Sequence, residues 1–112
     1  MAISYESIGQ VCITCTNSGV AENAPCKINF NNSISSCLDG NAIHGVVVAA
    51  RGNLATVAVS GFVTMPYSGT APTLGFCPIA GAGSGKVKKL DGAREYLVVN
   101  VDTAKKTVTF YL

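Results

Sequence analysis

The run from Ala42 to Tyr67, AIHGVVVAARGNLATVAVSGFVTMPY, constrains the fold of this chain more than any other part of it. Two valine- and alanine-rich stretches flank Arg51-Gly52-Asn53, and the second continues through Gly61 into a third short run that stops at Pro66. β-Branched side chains suit a pleated, half-buried surface and crowd a helix. The segment therefore reads as strand, turn, strand, kink, strand, with Arg51 as its one formal charge. Gly61, in the middle of a strand pattern, predicts a bulge or sharp bend where the chain passes from one sheet to another.

The same pattern extends along the chain. Strand signals recur at the spacing of an all-β sandwich or barrel, over 9–16, 25–30, 33–38, 43–50, 54–60, 62–66, 75–80, 86–90, 95–101 and 106–112. Asn31-Asn32 is a candidate two-residue hairpin turn, because Asn tolerates positive φ. Asp39-Gly40-Asn41 and Arg51-Gly52-Asn53 are loops of the same kind. The clearest hairpin is the last, with Asp102-Thr103-Ala104-Lys105 joining its strands. Val108, Phe110 and Leu112 fall on one face of its final strand, and Thr107, Thr109 and Tyr111 on the other, which describes a sheet with one buried face and one wet or partner-covered face. The best candidate for a helical turn is Ser68 to Leu74, and Pro66 and Pro72 oppose it. The expected fold is all-β: one compact antiparallel β-barrel or sandwich over 1–112, with little or no helix and residues 1–10 as an N-terminal arm.

Only 12% of residues are charged, against about a quarter in ordinary domains, and the mean hydropathy is +0.37. A domain this small cannot bury so much apolar composition within one copy. Its surface is therefore bland, or covered by other subunits, or both. The net charge of +2 does not suggest a nucleic-acid partner. The one basic cluster, Lys86, Lys88 and Lys89, reads as a solvated loop or an edge strand on which lysines discourage unwanted pairing, with phosphate contact as the weaker alternative. No apolar stretch reaches the roughly 18 to 20 residues that span a bilayer, and Met1 to Ser7 lacks the basic and apolar regions of a secretory signal. The expectation is a cytoplasmic site of synthesis and no membrane partner.

The five cysteines, Cys12, Cys15, Cys26, Cys37 and Cys77, form an odd set that does not suggest a disulfide framework. Cys12 and Cys15 make a C-x-x-C, but residues at i and i+3 of a strand point to opposite faces. A zinc module built on Cys12, Cys15, Cys26 and Cys37 is thus the weaker alternative to packing thiols, and no cofactor or metal is expected. Gly81-Ala82-Gly83-Ser84-Gly85-Lys86-Val87 resembles a phosphate loop only at first sight. Val87 stands where a Ser or Thr should hold magnesium, and a strand follows instead of a helix; a flexible surface loop is expected. Any serine or cysteine nucleophile must use the single histidine, His44, as its base. His44 instead suits a polar strand tip or a subunit contact. The six carboxylates are scattered, and no catalytic residues are assigned.

Gly45-Val46-Val47-Val48, Gly52 to Val63, Pro66 to Gly75, Arg94 to Asp102 and Thr107-Val108-Thr109-Phe110 together resemble small β-rich proteins encoded beside the major capsid protein of tailed phages. These are the capsid decoration, or head-stabilising, proteins. The resemblance covers about two-thirds of the chain and includes none of the cysteines. It implies a compact β-tulip-like fold, a homotrimer, and a place in the virion on the outer capsid surface after assembly in the host cytoplasm. There the chain would clamp neighbouring subunits of the major capsid protein, its partner. A head fibre base, tail or adaptor subunit is the alternative within the same class. The expected contact residues are Pro66, Tyr67, Ser68, Thr70, Pro72 and Leu74, in a loop held extended by its prolines, together with Tyr5 in the N-terminal arm.

Overall fold

Gly61 divides the chain into two curled sheets. A computed structural model describes residues 10–112, and among them lie ten strands: β1 (Val11–Asn17), β2 (Pro25–Phe30), β3 (Ser33–Ser36), β4 (Gly45–Arg51), β5 (Leu54–Ser60), β6 (Phe62–Pro66), β7 (Gly75–Gly83), β8 (Lys86–Lys89), β9 (Glu95–Asp102) and β10 (Thr107–Tyr111). Strands β1 to β5 close into a barrel in the order β1-β3-β2-β4-β5, and β6 to β10 form a sheet in the order β6-β10-β9-β7-β8. The all-β expectation holds, and each expected strand is present. One ladder, β1 with β3, runs parallel. Residues 68–74 form bends without a helical turn.

Local chemistry accounts for the turns. Asn32 has φ 58° and closes the β2–β3 hairpin, while Gly52 has φ 56° at the start of the two-residue β4–β5 loop. Asp102 Oδ1 accepts hydrogen bonds from the N–H groups of Ala104 and Lys105, both at 3.0 Å, and shapes the β9–β10 loop. At Gly61 φ is +117°, and a Cβ there would lie 3.0 Å from Gln10 Cα. Both facts favour glycine where the chain leaves the barrel for the sheet.

Each half has its own core. Inside the barrel lie Cys15, Val20, Cys26, Ile34, Val47, Ala55 and Val57. The second core gathers Met65, Tyr67, Cys77, Ile79, Val87, Tyr96, Val98, Val108 and Phe110 from the sheet, with Cys37, Ile43, Val46 and Ala58 from the first half of the chain. Neighbouring residues of β4 and β5 thus serve different cores: Val47 pairs with Val57 and Val46 with Ala58. This explains the apolar residues at 45–47 and 57–58, since a strand covered on both faces has no need of polar alternation; nearer the turn, Val48 and Leu54 are exposed. Full burial of a side chain such as Phe110 or Met65 contributes about 1.5–3 kcal/mol.

Two glycines allow close approaches, Gly45 between β4 and β5 within the barrel and Gly81 between the halves. A Cβ on Gly45 would stand 2.5 Å from Val57 Cγ1, and one on Gly81 would stand 2.6 Å from Cys37 Cβ. Around Gly81 the contact is sealed by main-chain bonds, Gly81 N to Asn41 O and Gly40 N to Gly81 O, each 2.8 Å. This corrects the reading of 81–87 as a surface loop. β7 continues to Gly83, Gly81 is buried, and Ser84-Gly85 alone forms the turn into β8. β8 closes that end of the sheet, and its Lys88 pairs with Asp39 at 2.6 Å. β3 stops at Ser36, short of 38, because the Leu38 N–H bonds the Asn41 side chain at 2.9 Å.

Candidate interface

The loop after β6 is more firmly held than its sequence suggests. The Tyr67 N–H donates to Lys106 O at 3.0 Å, and the Ser68 N–H donates to Val87 O at 2.9 Å. Tyr67 also bridges Val87, drawing β6 towards β8 across the open side of the sheet. Of the residues expected to touch a partner, Pro66 and Thr70 are exposed, Ser68 is half-buried, and Leu74 is 68% exposed. Pro72 is buried, and Tyr67 is 4% exposed and packs in the second core. Its ring anchors the loop from within and is not available as an exposed contact. Tyr5 lies outside the described residues, as does nearly all of the expected arm.

From Leu74 the apolar surface continues onto the sheet. Phe76 on β7 is 71% exposed and opposes Leu97 on β9; Leu97 opposes Tyr111 on β10, and Tyr111 opposes Phe62 on β6. Directly opposed residues share a face. The four side chains therefore form one row crossing four strands, about 14 Å long at the usual strand spacing. The Phe62 and Tyr111 rings meet edge to face with centroids 5.0 Å apart, and the Tyr111 hydroxyl lies 3.1 Å from Ser60 Oγ. Beside the row, Thr64 and Thr109 share a hydrogen bond of 2.8 Å. Thr109 is 2% exposed although it stands on the face expected to be wet or partner-covered; it lies between Thr64 of β6 and Asn100 of β9. The sequence pattern placed Tyr111 on the outer face. Phe76 and Leu97 were missed, because their alignment depends on register.

Exposed apolar side chains also stand on the barrel, with Phe30 at 75% beside the β2–β3 turn and Leu54 at 50% beside the β4–β5 turn.

A cleft of about 500 Å³ separates the β3–β4 connection from the β8–β9 turn, with Ile43, His44, Ile79, Arg94 and Tyr96 in its lining. Its polar groups are largely committed to structure. His44 Nδ1 accepts the Ile28 N–H at 2.8 Å, and the His44 N–H donates to Cys26 O at 3.0 Å. His44 thus caps β2, in keeping with a polar strand tip. The Tyr96 hydroxyl donates to Ile43 O at 3.0 Å, and the Arg94 guanidinium lies 5.0 Å from the centre of the Tyr96 ring. Burial pushes the Tyr96 phenol above its ordinary range, with Arg94 acting against the shift.

The thiols are free, with Cys12 exposed and Cys15, Cys26, Cys37 and Cys77 buried. Cys12 and Cys15 separate across β1 as strand geometry requires. Burial raises the Cys26 thiol to about 12, helped by Cys37 and Cys15 nearby. It raises Cys37 to about 11 against the pull of Lys27. Such thiols are poor nucleophiles at neutral pH. Among the described residues, no three His, Cys, Asp or Glu side chains are placed to hold a metal ion, and no helix is long and apolar enough to cross a membrane.

No protein-family model, curated protein or solved structure matches this chain.

Proposed function

We propose that this chain is a structural virion protein, a decoration subunit that binds the outer surface of a phage capsid and stabilises the expanded head lattice. It works by contact rather than by catalysis. One observation carries the reading: large apolar side chains stand exposed on both halves of the molecule, on the sheet at Leu74, Phe76, Leu97 and Tyr111 and on the barrel at Phe30 and Leu54. A cement must hold two neighbours at once, and joining two modest contacts raises the strength of both. The likeness of residues 42–112 to head-stabilising proteins supplies the partner, the major capsid protein. Burial of Leu74 or Phe76 against it contributes about 1.5–3 kcal/mol each.

Co-sedimentation with expanded shells assembled from the neighbouring major capsid gene tests the proposal. Saturable binding at a fixed ratio to capsid subunits, with shells more resistant to heat, is the expected result. A protein that stays in the supernatant at every concentration overturns it. Binding only to a portal or tail ring moves the chain to the adaptor or tail class.

A further inference from the structure

We infer that Asp91-Gly92, in the turn between β8 and β9, is a site of spontaneous covalent modification at which the folded chain converts aspartate to isoaspartate. The inference stands apart from the capsid reading and needs no partner.

The step is intramolecular. The Gly92 nitrogen forms a bond to Asp91 Cγ, and one carboxyl oxygen leaves as water, taking the nitrogen's proton. A five-membered succinimide results. Water then adds to the former main-chain carbonyl of Asp91 and breaks its bond to the Gly92 nitrogen, so that the main chain runs through Cβ and Cγ. One water leaves and one enters, no oxidant or reductant takes part, and the mass is unchanged.

Glycine after aspartate suits this closure, because no Cβ obstructs the attacking nitrogen. The chain holds Asp-Gly twice, at 39–40 and at 91–92, and the structure separates the two. At the first, Asp39 is paired with Lys88 at 2.6 Å, and the Gly40 N–H donates to Gly81 O at 2.8 Å. The carboxylate is engaged and the attacking peptide is pinned against β7. At the second, both residues are exposed, and neither the Asp91 carboxylate nor the Gly92 N–H has a hydrogen-bond or ion-pair partner among the described residues. The Ala93 N–H on Leu90 O, at 3.1 Å, closes the turn, with Gly92 at φ +88° in its third position, as in a type II turn. Its central peptide, Asp91–Gly92, is held by nothing else and has open space around it, with no atom within 4 Å of a Cβ on Gly92. That peptide can rotate and bring its nitrogen onto the side chain. The third aspartate, Asp102, is followed by a β-branched residue and is engaged by two main-chain N–H groups.

The flanks confine the change. The Leu90 N–H donates to Pro78 O and the Ile79 N–H to Arg94 O, both at 3.1 Å, so the turn is anchored on β7 at each end. The extra methylene in the main chain is taken up within 91–93. The strands stay in place, and the altered segment is the rim of the cleft that Asp91, Gly92 and Arg94 line.

Ageing of the folded full-length chain at neutral pH and body temperature tests the inference. Peptide mapping with electron-transfer fragmentation separates isoaspartate from aspartate, and isoaspartate derived from asparagine differs in mass. Isoaspartate should accumulate at 91 roughly tenfold faster than at 39, or more, because the Gly40 bond must open before attack there. In denaturant the two sites should react at similar rates. Asp91→Glu, which would need a larger ring, should lose the signal at 91, and circular dichroism checks its fold. Equal rates at 39 and 91 in the folded chain overturn the inference. Absence of isoaspartate at 91 in the folded chain, when the unfolded chain forms it, overturns it equally. None of these results bears on shell binding, which is measured separately.

Discussion

Replacing Gly81 with alanine tests the central packing argument. A Cβ at this position would lie 2.6 Å from Cys37 Cβ, 3.2 Å from Leu38 O and 3.4 Å from Asn41 O. Cys37 Cβ is bonded directly to the main chain and cannot swing aside, so the 37–41 segment must lift by about 1 Å to reach ordinary contact. Overpacking of this kind costs about 1–3 kcal/mol. The shift also stretches the two 2.8 Å main-chain bonds that join Gly81 to Gly40 and Asn41, worth about 0.5–1.5 kcal/mol each. The sum is about 2–6 kcal/mol, a large share of the roughly 5–15 kcal/mol that stabilises a domain. Urea titration should show a lower midpoint with an unchanged slope. In Gly81→Ala/Cys37→Gly the clash is removed, and stability should recover relative to the sum of the single changes. Gly52→Ala is the control: with φ +56° and no atom within 4 Å of a Cβ, it should cost only about 1 kcal/mol. A Gly81→Ala midpoint indistinguishable from wild type would refute the reasoning.

Tyr96→Phe removes the hydroxyl that bonds Ile43 O in the buried contact between the halves, and should cost about 1–2 kcal/mol in denaturant titration. His44→Ala strips the Ile28 N–H of its acceptor and should lower the unfolding free energy by about 1 kcal/mol. With Ellman's reagent at neutral pH the native protein should release one fast thiol, Cys12, and all five only in denaturant; a second fast thiol would contradict the burial of the others. The folded chain holds the Cys26 and Cys37 protons more tightly than the unfolded chain does, since both pKa values rise above 9.0. Their contribution is therefore complete below about pH 9 and fades as pH climbs through about 11 and 12. Melting temperature should fall over that window, and less steeply in Cys26→Ala; identical slopes would contradict it.

Much of this architecture was legible because it is local. Strand spacing, the Asn31-Asn32 turn, the Gly61 switch and the face pattern of Val108, Phe110 and Leu112 all depend on residues close in sequence. Closure of β1 onto β3 and β5 was not legible, since pairing partners lie far apart and alternation does not name them. Gly81 illustrates the limit. It sits in a glycine cluster typical of a loop, and its reason for being glycine is Cys37, a residue distant in the chain. The interface shows the same divide: Leu74 was visible as an apolar residue in a loop, whereas the row needed the register of β7, β9 and β10. Tyr67 was misplaced because an aromatic between proline and serine looks like a surface anchor until the strand beyond it is known.

The β4–β5 hairpin is a party wall. Val47 and Val57 furnish one room, Val46 and Ala58 the other, so neither room can be built first and the second added later. A fault in the wall at 46–47 or 57–58 is felt on both sides. Small, uncharged residues are the ones able to satisfy both, and the chain spends its longest run of them there. The two sheets should accordingly melt as one body, and the same feature that makes the molecule hard to alter in its middle leaves its outer faces free to vary with whatever they meet.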